Sequence, residues 1–349
     1  MKAITVEPGK HGTARLEEVP EPDAHGGSVL VEAVAVGVCG TDVEIVEGKY
    51  GTAPPGKTRL VLGHESLGRV VDPGRSGALR KGDLVVGIVR RPDPVPCPNC
   101  AVGEWDMCRN GLYTERGIKE LDGFMSERWR IEPEYAMKVD ASLGLFGVLL
   151  EPATVVAKAW EQVGAVGQRA FWEPRNVLVT GAGPIGLLAA LVGVQRGLEV
   201  HVLDQVTSGP KPEIVRDLGA IYHTGAVGGV GFQPDVIIEC TGVGHVIADS
   251  VAAIGAGGVV CLTGVGTGGR TGTIPVADIA AHIVLGNQVF VGSVNANKRH
   301  WYKAGQVLAR ADREWLSRLV TRRERPEDFS RALKRTADDI KVVVQFSDA

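Results

Sequence analysis

The chain has 349 residues, 23% of them charged, and a formal net charge of −3, so it is long enough for two separate cores. That near-neutral balance argues against nucleic acid or an anionic membrane as a partner. The start, Met1 to Val6, lacks the apolar core of a signal peptide, and no apolar stretch reads as a membrane span. Six cysteines, three of them clustered, suit a reducing compartment and metal binding better than disulfides, so the expected location is the cytoplasm.

From the N-terminus to about residue 150 the pattern is short strands and glycine-proline turns. Strands are predicted over 28–36, 68–71 and 83–89, and few segments carry a helical period, which points to a β-rich unit, a small barrel. Near Glu151 the composition changes to helix formers (153–163) and then to repeated strand-helix units. Within these, Asn176 to Thr180 is an apolar β-branched run that meets Gly181, Gly183 and Gly186 at GxGxxG spacing, followed by a helix-forming stretch over 187–196. Strand, tight turn and helix in that order cradle a pyrophosphate. The next apolar run ends in Asp204, 18 residues beyond Gly186, where a carboxylate bonds the adenosine ribose hydroxyls. Further strands over 235–240, 258–262 and 289–294 alternate with helices and imply a parallel sheet. After Asn297 come amphipathic helices, a charge run over 322–325 that reads as solvated surface, and a last apolar run over 340–346 that returns to the first unit. The dinucleotide unit is thus inserted into a discontinuous one, and the reaction is expected in the cleft between them.

Three places carry side chains with chemistry. Cys39 lies in a turn just after an apolar strand, His64 and Glu65 are adjacent, and Glu151 stands at the border of the two units. A thiolate, an imidazole and one or two carboxylates suit a tetrahedral Zn2+ with one position open, as catalytic zinc requires. Cys240 and Cys261 sit in apolar strands and read as core.

Several motifs then coincide in order and spacing. They are Gly37 to Asp42, Gly63 to Gly68, Lys81 to Asp83, Gly181 to Gly186 and Glu239 to Gly242. With these the chain resembles, almost end to end, the zinc-containing medium-chain alcohol and polyol dehydrogenases. Val89 to Arg91, 106–108, 113–118, Asp122 to Met125, Leu150 to Pro152 and Gly292 to Asn295 look most like the archaeal and bacterial glucose dehydrogenase branch. The resemblance implies an α/β fold: a Rossmann doubly wound parallel sheet over 154–296, inserted in a β-rich GroES-like catalytic domain over 1–153 and 297–349. It implies Cys39 and His64 as catalytic zinc ligands, with Glu65 and Glu151 binding directly or through water. Thr41 matches the hydroxyl residue beside the reacting oxygen, and Glu115, Glu151 and Asn295 match residues that hold sugar hydroxyls. The dinucleotide falls to Gly181, Gly183, Pro184, Ile185, Gly186, Asp204, Gln205, Thr241, Gly242 and Asn295.

The implied activity is oxidation of the anomeric carbon of glucose or a close aldose to an aldonolactone, with hydride passing to NAD(P). The alternatives are the same chemistry on another polyol, sugar acid or secondary alcohol, and a non-catalytic nucleotide-binding redox sensor. Asp204 followed by Gln205 favours NAD, although Thr207, Ser208 and Lys211 leave NADP open. The family's structural zinc lobe, here over 92–108, has four cysteines. This chain keeps Cys97, Cys100 and Cys108, with Pro94 at the first position and Asp93 beside it. A three-cysteine site completed by Asp93 is the expectation, and an emptied lobe the alternative. The family further implies a homodimer or homotetramer, pairing through the apolar run over 289–294.

Overall fold

The structure, a computed structural model, describes residues 1–266 and 276–348. It divides into two compact units, Met1–Glu151 with Ala296–Ala349, and Pro152–Asn295.

The first unit is built on the ten-residue strand Val29–Val38, whose run of valine and alanine suits a pleat buried along most of its length. It lies in a seven-stranded sheet ordered Ala136–Lys138, Leu84–Gly87, Glu65–Asp72, Val29–Val38, Lys341–Gln345, Val320–Glu324, with Arg128–Ile131 also paired to the central strand. Two registers in this sheet place residues that carry chemistry. Gly37 stands opposite Glu65, and Val342 stands opposite Val38. The last strand of the chain therefore closes the sheet beside the strand that leads into Cys39.

The charge run expected as solvated surface is instead part of this sheet, the strand Val320–Glu324 at its edge. Arg322 is tied to Asp339 at 2.8 Å and to Glu324 at 3.2 Å, and it donates to the carbonyls of Arg331 and Lys334. Charged side chains on an edge strand resist pairing with another chain, which explains why they occur in a strand at all.

The second unit is a six-stranded parallel sheet among the described residues. Its order is Ile221–His223, Glu199–Leu203, Asn176–Thr180, Val236–Glu239, Val259–Leu262, Val289–Gly292. This is the doubly wound arrangement in which chain order reverses beside the first strand, leaving a crevice at the carboxyl ends. Helix Pro184–Gln195 follows the first strand with residues 186–193 all buried, which accounts for the uninterrupted apolar run in the sequence. Cys261 is fully buried and Cys240 half-buried, and desolvation pushes both thiols up to about 12, so they stay protonated and unreactive. The helical run Ala141–Gly167 is apolar and long enough to cross a membrane by composition, but 67% of its apolar window is buried in the fold, as in a core helix.

The turn after Asn176–Thr180 depends on a close approach at Gly186, where a Cβ would lie 1.8 Å from the carbonyl oxygen of Gly181. Relief would require the helix to move off the strand. Gly186→Ala is therefore expected to destabilise the protein by about 3 kcal/mol and to weaken dinucleotide binding. Denaturant titration and fluorescence titration with NADPH check this, and wild-type values for both would contradict the packing argument.

Candidate active site

In the first unit, the end of strand Val29–Val38 delivers Cys39 as the N-cap of the short helix Gly40–Val46. Asp42 in the first turn reaches back, its Oδ2 accepting the Cys39 N–H at 2.8 Å. Thr41 Oγ1 lies 4.0 Å from Cys39 Sγ. On the neighbouring strand, His64 and Glu65 come up opposite. Their ligand atoms and the Cys39 sulfur all lie within 4.8 Å of one another.

Two features show how the backbone makes room. Glu65 lies across from Gly37, and a Cβ there would be 2.0 Å from Glu65 Oε2, so only glycine allows the carboxylate to rest between the strands. The His64 ring is buried with Nδ1 3.5 Å from Asp42 Oδ1, and neither atom has a hydrogen-bond partner. A carboxylate behind the imidazole is the usual support for a histidine that presents its other nitrogen to a metal.

The charges agree with a cation site. Burial alone would push His64 down, but the Asp42 carboxylate and the Cys39 sulfur outweigh it and hold the imidazole well above its ordinary range. Glu151, the second residue of helix Leu150–Gly167, is pushed up to about 7, first by burial and then by the charges of Glu65 and Asp42. A buried set of sulfur, nitrogen and oxygen donors crowded by negative charge fits a tetrahedral zinc with an open position. Glu151 stands outside the tight group, yet the charges of His64 and Glu65 reach it.

One partner in this cluster was invisible to sequence reasoning. Lys341, from the last strand, puts its Nζ 2.7 Å and 2.5 Å from the two oxygens of Glu65. Lys341 is 303 residues from its other acceptor, the Val38 carbonyl, and a lone lysine in an apolar run gives no signal of it.

Glu115 is buried and held by Arg90, with Nε and Nη2 each 3.0 Å from Glu115 Oε1. The guanidinium lies 3.7 Å over the Tyr113 ring and donates to the carbonyls of Trp105 and Asp106. Arg90 is thus a second functional side chain that the sequence marked only as part of a motif.

The cysteine lobe brings Cys97, Cys100 and Cys108 within 4.8 Å of one another. Backbone N–H groups of Arg109, Cys100 and Asn99 pull Cys97 down to about 6, whereas burial pushes Cys100 up to about 11. Asp93 was expected to complete the set, and here the structure differs. Its carboxylate accepts from the Val95 N–H at 2.9 Å and from Asn110 Nδ2 at 2.7 Å, and the group of ligand atoms does not include it. The reason is local: the short side chain folds onto the backbone two residues ahead, leaving the Asp93 N–H rather than its carboxylate beside Cys100.

In the second unit, Gly183 is the N-cap of helix Pro184–Gln195, with Ile185 and Gly186 in its first turn, and nothing lies near where a Gly183 Cβ would be. That opening suits phosphates at a helix N-terminus. A groove of about 470 Å³ beside it is lined by Gly181, Asp204, Gln205 and Thr241, among others. Asp204 Oδ2 accepts the Ala182 N–H at 2.6 Å, Oδ1 accepts the Val206 N–H at 3.1 Å, and Lys211 Nζ is 3.9 Å away. Thr241 and Gly242 are fixed by buried Glu239, whose carboxylate accepts their N–H groups at 2.7 Å and 3.1 Å. Asn295 adopts φ +60°, and its neighbour Val294 accepts a hydrogen bond from buried Lys158 at 2.9 Å.

Comparison with known proteins agrees with this arrangement. Two family models match, "Alcohol dehydrogenase GroES-like domain" over residues 25–141 and "Glucose dehydrogenase C-terminus" over residues 144–346. The chain is 37% identical to a glucose 1-dehydrogenase of Methanocella arvoryzae over 99% of both chains. It is 39% identical to glucose 1-dehydrogenase 2 of Vulcanisaeta moutnovskia, again over 99% of both. A similar solved structure is Haloferax mediterranei glucose dehydrogenase in complex with NADP, Zn and gluconolactone, at TM-score 0.92 and 32% identity over 100% of both chains. The chain belongs to the zinc-containing medium-chain alcohol dehydrogenases, in their glucose dehydrogenase branch.

Proposed function

We propose that this protein oxidises the anomeric carbon of glucose or a close aldose to the aldonolactone, with hydride passing to a nicotinamide dinucleotide. The observation that carries this reading is the grouping of half-buried Cys39 with buried His64 and Glu65 in a chain with these relatives. Zinc held by Cys39, His64 and a carboxylate of Glu65 or Glu151 supplies Lewis acidity toward a substrate hydroxyl.

The chain's own residues do the rest. Asp42, with Oδ1 3.5 Å behind Nδ1, places a carboxylate charge against the His64 ring. Thr41 stands beside Cys39, placed to accept a hydrogen bond from the reacting hydroxyl and, in taking its proton, to pass its own on toward solvent. Glu151, buried beside Glu65 and Asp42, adds a further carboxyl group to the site. Glu115, stiffened by Arg90, offers a buried acceptor to a second sugar hydroxyl, and Asn295 is the family's candidate for a third. A simple alcohol would leave those groups unpaired, so the site discriminates in favour of a polyhydroxylated substrate. In the lobe, Cys97, Cys100 and Cys108 are the candidates for a second, structural zinc. Asp93 would join them only by releasing Val95 and Asn110.

The preference for NAD expected from Asp204 finds no support. Both Asp204 oxygens are engaged by backbone N–H groups, which leaves fewer lone pairs for a ribose diol, and Lys211 supplies a cation beside them. The Haloferax relative's complex holds NADP, and NADP is the cofactor we propose here. The half-buried edge strand Val289–Gly292, with Val284 and Leu285 exposed on the same unit, supports self-association as a homodimer or homotetramer. Six free thiols are consistent with the cytoplasm.

The decisive assay is reduced-nicotinamide absorbance across aldoses, polyols and simple alcohols, before and after chelation. Activity confined to glucose-like aldoses and abolished by chelator is expected, whereas activity on simple alcohols alone would discard the sugar assignment. Cys39→Ser should lose at least about a thousandfold in kcat while binding NADPH as the wild type does. Asp42→Asn should lower metal affinity about 10- to 100-fold, measured by competition with a chromogenic chelator. Paired kinetics should give a higher kcat/KM with NADP than with NAD, and the reverse order would restore Asp204 as the selecting residue.

A further inference from the structure

A lysine in the middle of a buried helix needs a reason, because its ammonium gives up water that an apolar side chain would never have held. Lys158 lies in helix Leu150–Gly167 between Ala157 and Ala159, and only 2% of it is exposed. Its Nζ donates to the Val294 carbonyl at 2.9 Å. Its charge also reaches Cys261, where it opposes the upward push of burial. The ammonium is thus held near the carboxyl ends of two paired strands, Val259–Leu262 and Val289–Gly292.

The carbonyl it holds belongs to a demanding turn. The next residue, Asn295, has φ +60°. Asparagine tolerates that left-handed region better than most side chains, yet such a residue persists only where its surroundings over-determine it. Val294 is 58% exposed, so packing of its side chain does little to fix the turn. Two hydrogen bonds pin it instead: the Ser293 N–H on the Leu262 carbonyl at 2.9 Å, and Lys158 on Val294.

We propose that Lys158 is a positioning residue for sugar binding. By holding the Val294 carbonyl it keeps Asn295 in the conformation from which its amide meets a sugar hydroxyl. The planar peptide between the two residues carries the constraint, since fixing its oxygen also fixes the direction in which Asn295 leaves it. A hydrogen bond from an ammonium is the stronger, charge-assisted kind, as a strained turn requires. This inference rests on the reading of Asn295 as a sugar ligand and adds what holds that residue in place.

The test is a double-mutant cycle on the zinc-loaded enzyme, read as KM and kcat for glucose at saturating NADP. Asn295→Ala should raise KM about tenfold, the loss of one hydrogen bond. Lys158→Met should raise KM by a similar factor while kcat stays within about threefold of wild type. In the double variant KM should lie within about twofold of Asn295→Ala alone, because both changes remove the same contact. Multiplied effects in the double variant would overturn the proposal, as would a wild-type KM in Lys158→Met or a loss confined to kcat. A wild-type KM in Asn295→Ala would instead sink the reading of Asn295 itself, and the proposal with it. Should Lys158→Met fail to fold, Lys158→Gln, whose amide nitrogen stops one bond short of the ammonium, runs the same cycle.

Discussion

Negative charge taken out of water must be matched, and the first unit is arranged around that demand. Asp42, Glu65 and Glu151 are all buried within reach of His64. Three positive sources answer them: the Lys341 ammonium, the imidazole of His64 with its raised proton affinity, and the metal that the donor set fits.

The sheet supplies this balance through its closure. Lys341 reaches Glu65 because the chain's final strand lies beside Val29–Val38 rather than elsewhere. A slip of one residue in that pairing would turn Lys341 to the other face and leave Glu65 without its cation. The edge strand Val320–Glu324, with Arg322 bonded to Asp339 and Glu324, holds the outer side of the same strand. What reads as a surface charge run therefore supports the element that carries Lys341.

A second buried ion pair has a different construction. Arg90 clamps Glu115 and is itself fixed by the Tyr113 face and by two carbonyls of the cysteine lobe segment. A planar guanidinium suits this work because its fork holds a carboxylate and stacks on a ring at the same time. The lobe that carries Cys97, Cys100 and Cys108 is thereby joined to Arg90 and Glu115 through the carbonyls of Trp105 and Asp106. Loss of order in the lobe would be felt at Glu115.

The sequence by itself determined the parallel sheet, the glycine turn with its helix, the strands at the centre of each sheet, and Cys39 and His64 as candidate donors. These rest on short-range patterns, namely β-branched runs, glycine spacing and adjacent donors, and such patterns are legible without a fold. It did not determine the partners of buried charge. Lys341 on Glu65 and Arg90 on Glu115 depend on which strand lies next to which. Asp93 shows the same limit from the other side, because spacing offered it as a ligand while its backbone turn spent the carboxylate on Val95 and Asn110. Residue type announces a donor. Only the tertiary structure decides what that donor faces, since burial and strand register set the counter-charge and no local pattern encodes them.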